Sequence, residues 1–230
     1  MKPLAVLFDL DNTLTHRGLS IASYARRFVA DFGAQLPGVA GASVAALIDE
    51  RDGGGYGVPG SPLASVRDDV ANALITRLPW QGAPAADVLT RHWFAHFPTH
   101  SVEMPGAGAL LERLSARGLR LAIVSNGQEA TRRELARGLG LDRRVHTLVS
   151  SERAGARKPD AWPFHLAAQE LAAPPERCWF VGDHPLNDIA GAHAAGMRAI
   201  WLRGFHDWPA ALEPHATIAA LAELEALLPA

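Results

Sequence analysis

Leu4-Ala-Val-Leu-Phe8, followed at once by Asp9-Leu-Asp11-Asn-Thr13-Leu14, is the stretch that decides the fold. Five apolar residues in a row lack the alternation of a strand with one wet face, so the run reads as a strand buried on both sides, the pattern of a parallel sheet. The pattern recurs at Leu119-Arg-Leu-Ala-Ile-Val124 before Ser125, at Cys178-Trp-Phe-Val181 before Gly182-Asp183, and at Ala199-Ile-Trp-Leu202 before Arg203-Gly204. Helical patterns lie between them. Gly106 to Arg117 is stopped by Gly118, Glu129 to Arg137 by Gly138, Asp160 to Ala172 by Pro174-Pro175, and Asn187 to Ala195 by Gly196. This alternation predicts right-handed βαβ units and an open α/β sheet, whose ligand crevice lies at the carboxyl ends of the strands.

Residues 16–100 break the rhythm with helical periodicity and no convincing strand. Ser61-Pro62 reads as N-cap and first-turn proline of a helix running to about Leu78, and Pro84 to Phe97 as another. Gly53-Gly-Gly-Tyr-Gly57 and Pro59-Gly-Ser-Pro62 read as a loop. The chain is therefore expected to consist of an α/β core, residues 1–15 and 101–230, interrupted by a helical insert over 16–100. Thr217 to Leu228 is amphipathic and is expected to cover the sheet.

Bulk properties narrow the function classes. Across 230 residues, 22 Lys and Arg face 24 Asp and Glu, so no excess of positive charge is present to hold a nucleic acid. No stretch approaches the roughly 18 apolar residues of a membrane span. Leu4 to Phe8 is too short for a signal-peptide core. With Cys178 as the single cysteine, neither an intrachain disulfide nor a cysteine zinc cluster can form. The expectation is a soluble cytoplasmic protein. Lysine occurs only at Lys2 and Lys158, every other basic side chain being arginine. That makes Lys158 conspicuous as a compact point charge.

Four short patterns carry the chemistry, each at a strand end or helix start. Asp9 and Asp11 follow the first strand, and two carboxylates so close are costly to hold together unless a cation shares them. Ser125-Asn126-Gly127 offers a hydroxyl and backbone amides at a helix start, a geometry suited to anions. Lys158-Pro159-Asp160 supplies the isolated ammonium. Gly182-Asp183-His-Pro-Leu-Asn187-Asp188 adds a second acidic pair. Each alone also reads as an ordinary turn or cap, Asn187 being the natural N-cap of its helix. Their order and joint placement outweigh those separate readings.

This ordered set resembles the haloacid dehalogenase superfamily, whose motifs are DxDxT, S/T, K and GDxxxD. The likeness covers most of the chain outside 16–100, and an insert directly after the first motif is similar to the helical cap of the family's phosphatase branch. The resemblance implies a Rossmann-like parallel sheet with that cap, and magnesium-dependent hydrolysis of a small phosphorylated metabolite through an aspartyl-phosphate on Asp9. It implies that Asp11 is the general acid and then base. Mg2+ would sit on Asp9, the Asp11 carbonyl and Asp183, while Lys158, Ser125 and the Asn126 amide hold the transferring oxygens. Asp188, with Asn187 beside it, would orient Lys158 or a metal-bound water. Family dehalogenases lack the second aspartate, so Asp11 favours phosphate transfer. A phosphomutase would keep all four motifs, and a non-catalytic phosphometabolite-binding protein is the alternative of another class.

Other signals are set aside. His92, His96 and His100 stand four residues apart, but Pro98 interrupts the helix, no third ligand is evident in sequence, and Trp93, Phe94 and Phe97 mark ordinary packing. The 53–57 segment lacks the GK[ST] ending of a nucleotide loop. Tyr56 there is a candidate substrate contact, and His184 a candidate neighbour of the metal or a solvent-facing histidine. Seven arginines against seven acidic residues over 16–100 make no anion funnel.

Overall fold

The computed structural model describes residues 2–229 apart from 59, 64, 210 and 211. The chain divides into two compact units, Met1–Thr15 with Glu103–Ala230, and His16–Val102.

The first unit is a six-stranded, all-parallel sheet. Its strands are β1 (Ala5–Phe8), β2 (Arg120–Ser125), β3 (Thr147–Ser150), β4 (Cys178–Gly182), β5 (Arg198–Leu202) and β6 (Ala216–Ile218), in spatial order β3-β2-β1-β4-β5-β6. Chain order reverses direction at β1, which pairs with both β2 and β4. In doubly wound sheets such a switch point opens a crevice. Register aligns the strand ends there: Phe8 lies opposite Ile123 and Val181, and Ser125 opposite Ser150.

The second unit packs four helices, α1 (Arg17–Phe32), α2 (Gly41–Asp52), α3 (Val66–Arg77) and α4 (Ala86–His96). Ile21, Tyr24, Ala25 and Phe28 recur at the spacing of one helix face and bury against Val44, Leu47 and Ile48 of α2. Two buried carboxylates here are matched by arginine. Arg17 grips Asp52 through Nε and Nη2 at 2.5 and 2.6 Å, and Arg51 donates to Asp69 Oδ1 at 2.8 and 3.1 Å.

Around the sheet lie α5 (Ala107–Ala116), α6 (Glu129–Gly138), the single turn α7 (Ser151–Ala154), α8 (Trp162–Glu170), the short α9 (Gly191–Ala194) and the C-terminal turn α10 (Leu224–Leu227). Residues alternate between two cores. Val6 and Phe8 join Leu110, Leu111 and Leu114 of α5 on one face, while Ala5 and Leu7 join Phe164, Ala167 and Ala168 of α8 on the other. The apolar runs of the sequence are thus buried on both sides, as their lack of alternation requires.

Three sequence expectations need correction. The α3 N-cap is Ser65, whose hydroxyl accepts from the Asp68 amide, not Ser61. Ser61 and Pro62 fall in the preceding loop, and Pro59 and Ala64 lie outside the described residues. Thr217 to Leu228 covers the sheet as expected but not as one continuous segment: Ala216–Ile218 is the edge strand β6, and Leu221 and Leu224 fold back onto the first core from short turns. The helix expected from Asn187 begins earlier, at Pro185, with His184 as its cap.

Candidate active site

The strand ends at the switch point bring the acidic residues together. Asp9 directly follows β1, and its amide donates to Val181 O at 2.9 Å, which extends the β1–β4 ladder by one residue and fixes where the carboxylate begins. Asn12 then turns the chain at φ 56°, a left-handed position that asparagine accepts more readily than most residues. Asp183 follows β4 in the same way.

Lys158 joins the set from the loop before α8. Its ammonium donates to Asp9 Oδ1 at 2.5 Å, to Asp188 Oδ1 at 2.7 Å and to the Val124 carbonyl at 2.8 Å, so all three of its N–H bonds are spent. Burial opposes its charge, yet Asp188 and Asp9 hold its pKa above the ordinary lysine value. The backbone around it is clamped by Asn126, whose Nδ2 donates to Lys158 O at 3.0 Å while the Lys158 amide donates to Asn126 Oδ1 at 2.9 Å. The Lys158–Pro159 peptide is cis.

Asp188 is completely buried and spends both oxygens, Oδ2 accepting the His184 amide at 3.0 Å. Gly182 is required beside it, since a Cβ at that position would run into the Asp188 carboxylate. His184 caps the following turn, its Nδ1 accepting from the Leu186 and Asn187 amides at 3.2 and 3.1 Å. Asn187 therefore enters through its backbone. Its side-chain amide makes no hydrogen bond among the described residues.

The remaining acceptors are unmatched. Asp9 Oδ2, both carboxylate oxygens of Asp183 and the Thr13 hydroxyl are buried without an aligned hydrogen-bond partner among the described residues. Burial drives the Asp183 pKa up to about 6, Asp188 adding to the rise and His206, with Nε2 3.3 Å from Oδ2, working against it. Burial likewise raises Asp9 well above its ordinary value, Lys158 opposing and Asp188, Asp183 and Asp11 reinforcing. Ligand oxygens of Asp9, Asp183 and Asp188 all lie within 4.8 Å of one another. Buried carboxylates so crowded, with one ammonium among them, fit a hard divalent cation, which takes oxygen ligands and needs them deprotonated.

Ser125 ends β2 and is buried at the same edge, where Gly127 donates its amide to Ser151 Oγ at 2.9 Å. Asp11 behaves differently from its neighbours. Its Oδ2 accepts from Arg132 Nη1 of α6 at 2.5 Å. The arginine passes directly over Gly127, which sits at φ 147° and leaves no room for a Cβ. Arg132 was not singled out by sequence; the contact spans 121 positions and no local pattern marks it.

A family model described as haloacid dehalogenase-like hydrolase matches residues 3–196. The phosphoglycolate phosphatase of Rhodospirillum rubrum is 30% identical over 96% of this chain and 86% of its own length. Among solved structures, the putative HAD-hydrolase YfnB from Bacillus subtilis bound to magnesium superposes with a TM-score of 0.77 at 20% identity over the whole of both chains. The 2-haloacid dehalogenase of Pseudomonas syringae pv. tomato DC3000 superposes at 0.61 with 27% identity, covering 98% of this chain and 97% of that one.

Proposed function

Because this chain belongs to the haloacid dehalogenase-like hydrolase family, we propose that it is a magnesium-dependent phosphatase hydrolysing a small phosphate monoester through an aspartyl-phosphate on Asp9. The observation that carries this reading is the buried Asp9–Lys158–Asp188 network, with Asp9 Oδ2 and both Asp183 oxygens lacking an aligned hydrogen bond and His206 standing 3.3 Å from one of them. A protein that only needed stability would pair or remove those oxygens. Asp11 weighs against dehalogenation, since the family's dehalogenases lack a second aspartate there, while a phosphatase needs an acid for the leaving alcohol.

Phosphate monoesters hydrolyse extremely slowly unaided, so dividing the reaction into two displacements at phosphorus is advantageous. Lys158 anchors Asp9 through Oδ1 and leaves the lone pairs of Oδ2 unspent for attack. The Asp9 and Asp183 carboxylates and the Asp11 carbonyl would hold magnesium, which would supply positive charge to offset repulsion between nucleophile and phosphate. The Ser125 hydroxyl and the Asn126 amide bind the transferring oxygens, Lys158 joins them by exchanging one of its three protein acceptors for a phosphoryl oxygen, and Asp188 keeps Lys158 in place. Asp11 protonates the leaving alkoxide, then takes a proton from the water that attacks the phosphoaspartate. Arg132 Nη1 donates to Asp11 Oδ2, so that oxygen is engaged in this structure and must be released before it reaches the leaving group. The helical unit over His16–Val102 acts as the cap and carries substrate specificity.

The test is magnesium-dependent phosphate release from an aryl phosphate, followed by a panel of small phosphorylated acids that starts with phosphoglycolate. Asp9→Asn is expected to lose about 10⁴-fold or more in turnover while keeping its circular dichroism spectrum. An unchanged rate in that variant would overturn the mechanism.

A further inference from the structure

The helical unit contains a second cluster of metal-ligating side chains that the phosphatase chemistry does not use. His92 and His96 are one turn apart on α4, where they share a face, and their ring centroids are 4.5 Å apart. The third donor that sequence spacing fails to supply comes from another helix. Asp31, near the end of α1, has Oδ2 2.9 Å from His92 Nε2, and the ligand atoms of Asp31, His92 and His96 all lie within 4.8 Å of one another. His100, the expected third member of the row, instead directs Nδ1 to the His96 carbonyl at 2.8 Å and is not part of the cluster.

Three further features suit a cation. The His92 ring is oriented from behind, because Nδ1 lies 2.8 Å from the hydroxyl of Tyr24, a side chain buried in the helical core. Such a partner on the far nitrogen is how ligating histidines are held, leaving Nε2 to face the metal. Phe28 and Phe32 pack on the same ring at 5.7 and 5.0 Å, which restricts its rotation. The open side is wet, since Asp31 is about a third exposed, and water can complete the shell.

We propose that Asp31, His92 and His96 form a site for a borderline divalent cation such as Zn2+, clamping α1 to α4. Two imidazoles and one carboxylate are a common donor set for zinc, at metal–ligand distances of about 2.0–2.2 Å. Ligands on such an ion lie roughly 3.3 Å apart, so closure from 4.8 Å needs only small rotations of the half-buried His96 and the exposed Asp31. Arg27, whose Nε is 2.6 Å from Asp31 Oδ2, competes for that carboxylate and lowers the affinity. Magnesium, which prefers oxygen donors, belongs to the other cluster.

The test uses untagged full-length protein in millimolar magnesium, titrated with zinc by calorimetry and followed by thermal melting. The expected result is a single zinc bound with micromolar or tighter affinity and a higher melting temperature. His96→Ala should weaken zinc at least about 100-fold, since an outer partner alone is worth 10- to 100-fold, and Tyr24→Phe should weaken it about tenfold. Asp31→Asn is a second ligand variant at an exposed position, and should weaken zinc while leaving phosphate release unchanged and zinc-free melting only slightly lowered. Asp183→Asn, which disables the other cluster, should bind zinc as the natural chain does. Absence of zinc binding, equal affinity in the His96 and Asp31 variants, or loss confined to Asp183→Asn would overturn the proposal.

Discussion

Buried carboxylates occur in both units, but they are treated in opposite ways. In the helical unit Asp52 and Asp69 each meet an arginine, and Arg51 holds the Asp69 pKa below its ordinary value. At the sheet's carboxyl edge Asp9 and Asp188 share one lysine while Asp183 faces His206, and burial pushes Asp9 and Asp183 upward instead. Equal burial with opposite compensation separates a charge kept for structure from one kept for chemistry. A carboxylate beside a guanidinium has its charge spent, even where one oxygen lacks an aligned hydrogen bond, as at Asp69 Oδ2, whereas one with no such cation of its own retains the negative charge that a metal ion requires.

The sharpest way to break this contrast is to remove each unit's compensating cation. Lys158→Ala strips the ammonium from two buried carboxylates, Asp9 and Asp188. It should lower phosphatase turnover by on the order of 10²–10³-fold and stability by about 3 kcal/mol, read from aryl phosphate hydrolysis and urea unfolding. Arg17→Ala leaves Asp52, 1% exposed, without its guanidinium. About 2–3 kcal/mol of stability should be lost in denaturant titration, and Asp52→Asn in that background should recover part of it, because the uncompensated charge is then gone. If Lys158→Ala proves no less stable than the natural chain, the carboxylates have another counter-charge and the contrast fails.

These pairings differ in how far sequence could foretell them. Four of the six strands were legible because burial on both faces forbids polar alternation, leaving the apolar runs at β1, β2, β4 and β5. β3 is only Thr-Leu-Val-Ser, and β6 is a three-residue edge, too short for any period to register. Asp9, Lys158, Asp183 and Asp188 were legible through spacing and through the scarcity of lysine. Arg132 on Asp11, His206 beside Asp183 and Asp31 beside His92 were not, since each contact is made by tertiary packing between residues with no shared local pattern. His184 was misjudged for a related reason: a histidine ring nitrogen can cap a turn as asparagine does, so the cap moved to a residue outside the usual set.

Asp183→Asn sharpens the comparison from the other side. With its pKa lifted from about 3.8 to about 6, ionised Asp183 burdens the cation-free fold at neutral pH. Replacing it with an amide should abolish magnesium-dependent turnover yet raise stability in a chelator by about 1–2 kcal/mol, discounted from the full shift for relaxation around the site. For a chain of this size that is a rise of roughly 2–8 °C in melting temperature. The natural chain should overtake the variant when magnesium is added, because the cation then binds only the folded natural site.

The smallest effect separates the two units by the sign of their pH dependence. Asp183, raised on folding, contributes stability that is present below its unfolded pKa and lost as pH rises through about 6. His92 runs the other way. Burial depresses it, against the pull of Asp31 and with His96 and Arg27 adding to the depression, so the folded helical unit prefers the neutral ring. Asp31 is itself lowered by His92 and Arg27. His92 takes up a proton on unfolding, so its contribution is present above the ordinary histidine value of about 6.5 and is lost as pH falls below it, whereas that of Asp31 is lost only below the ordinary aspartate value of 3.8. In chelator, hydrogen exchange resolved along the chain should therefore show amides of α1 and α4 losing protection from pH 7 to pH 5 while those of β1 and β4 gain it. His92→Gln should flatten the first trend and Asp183→Asn the second. A common slope in both units would mean that the buried carboxylates at the strand ends are compensated after all, and the distinction between spent and unspent charge would not hold for this molecule.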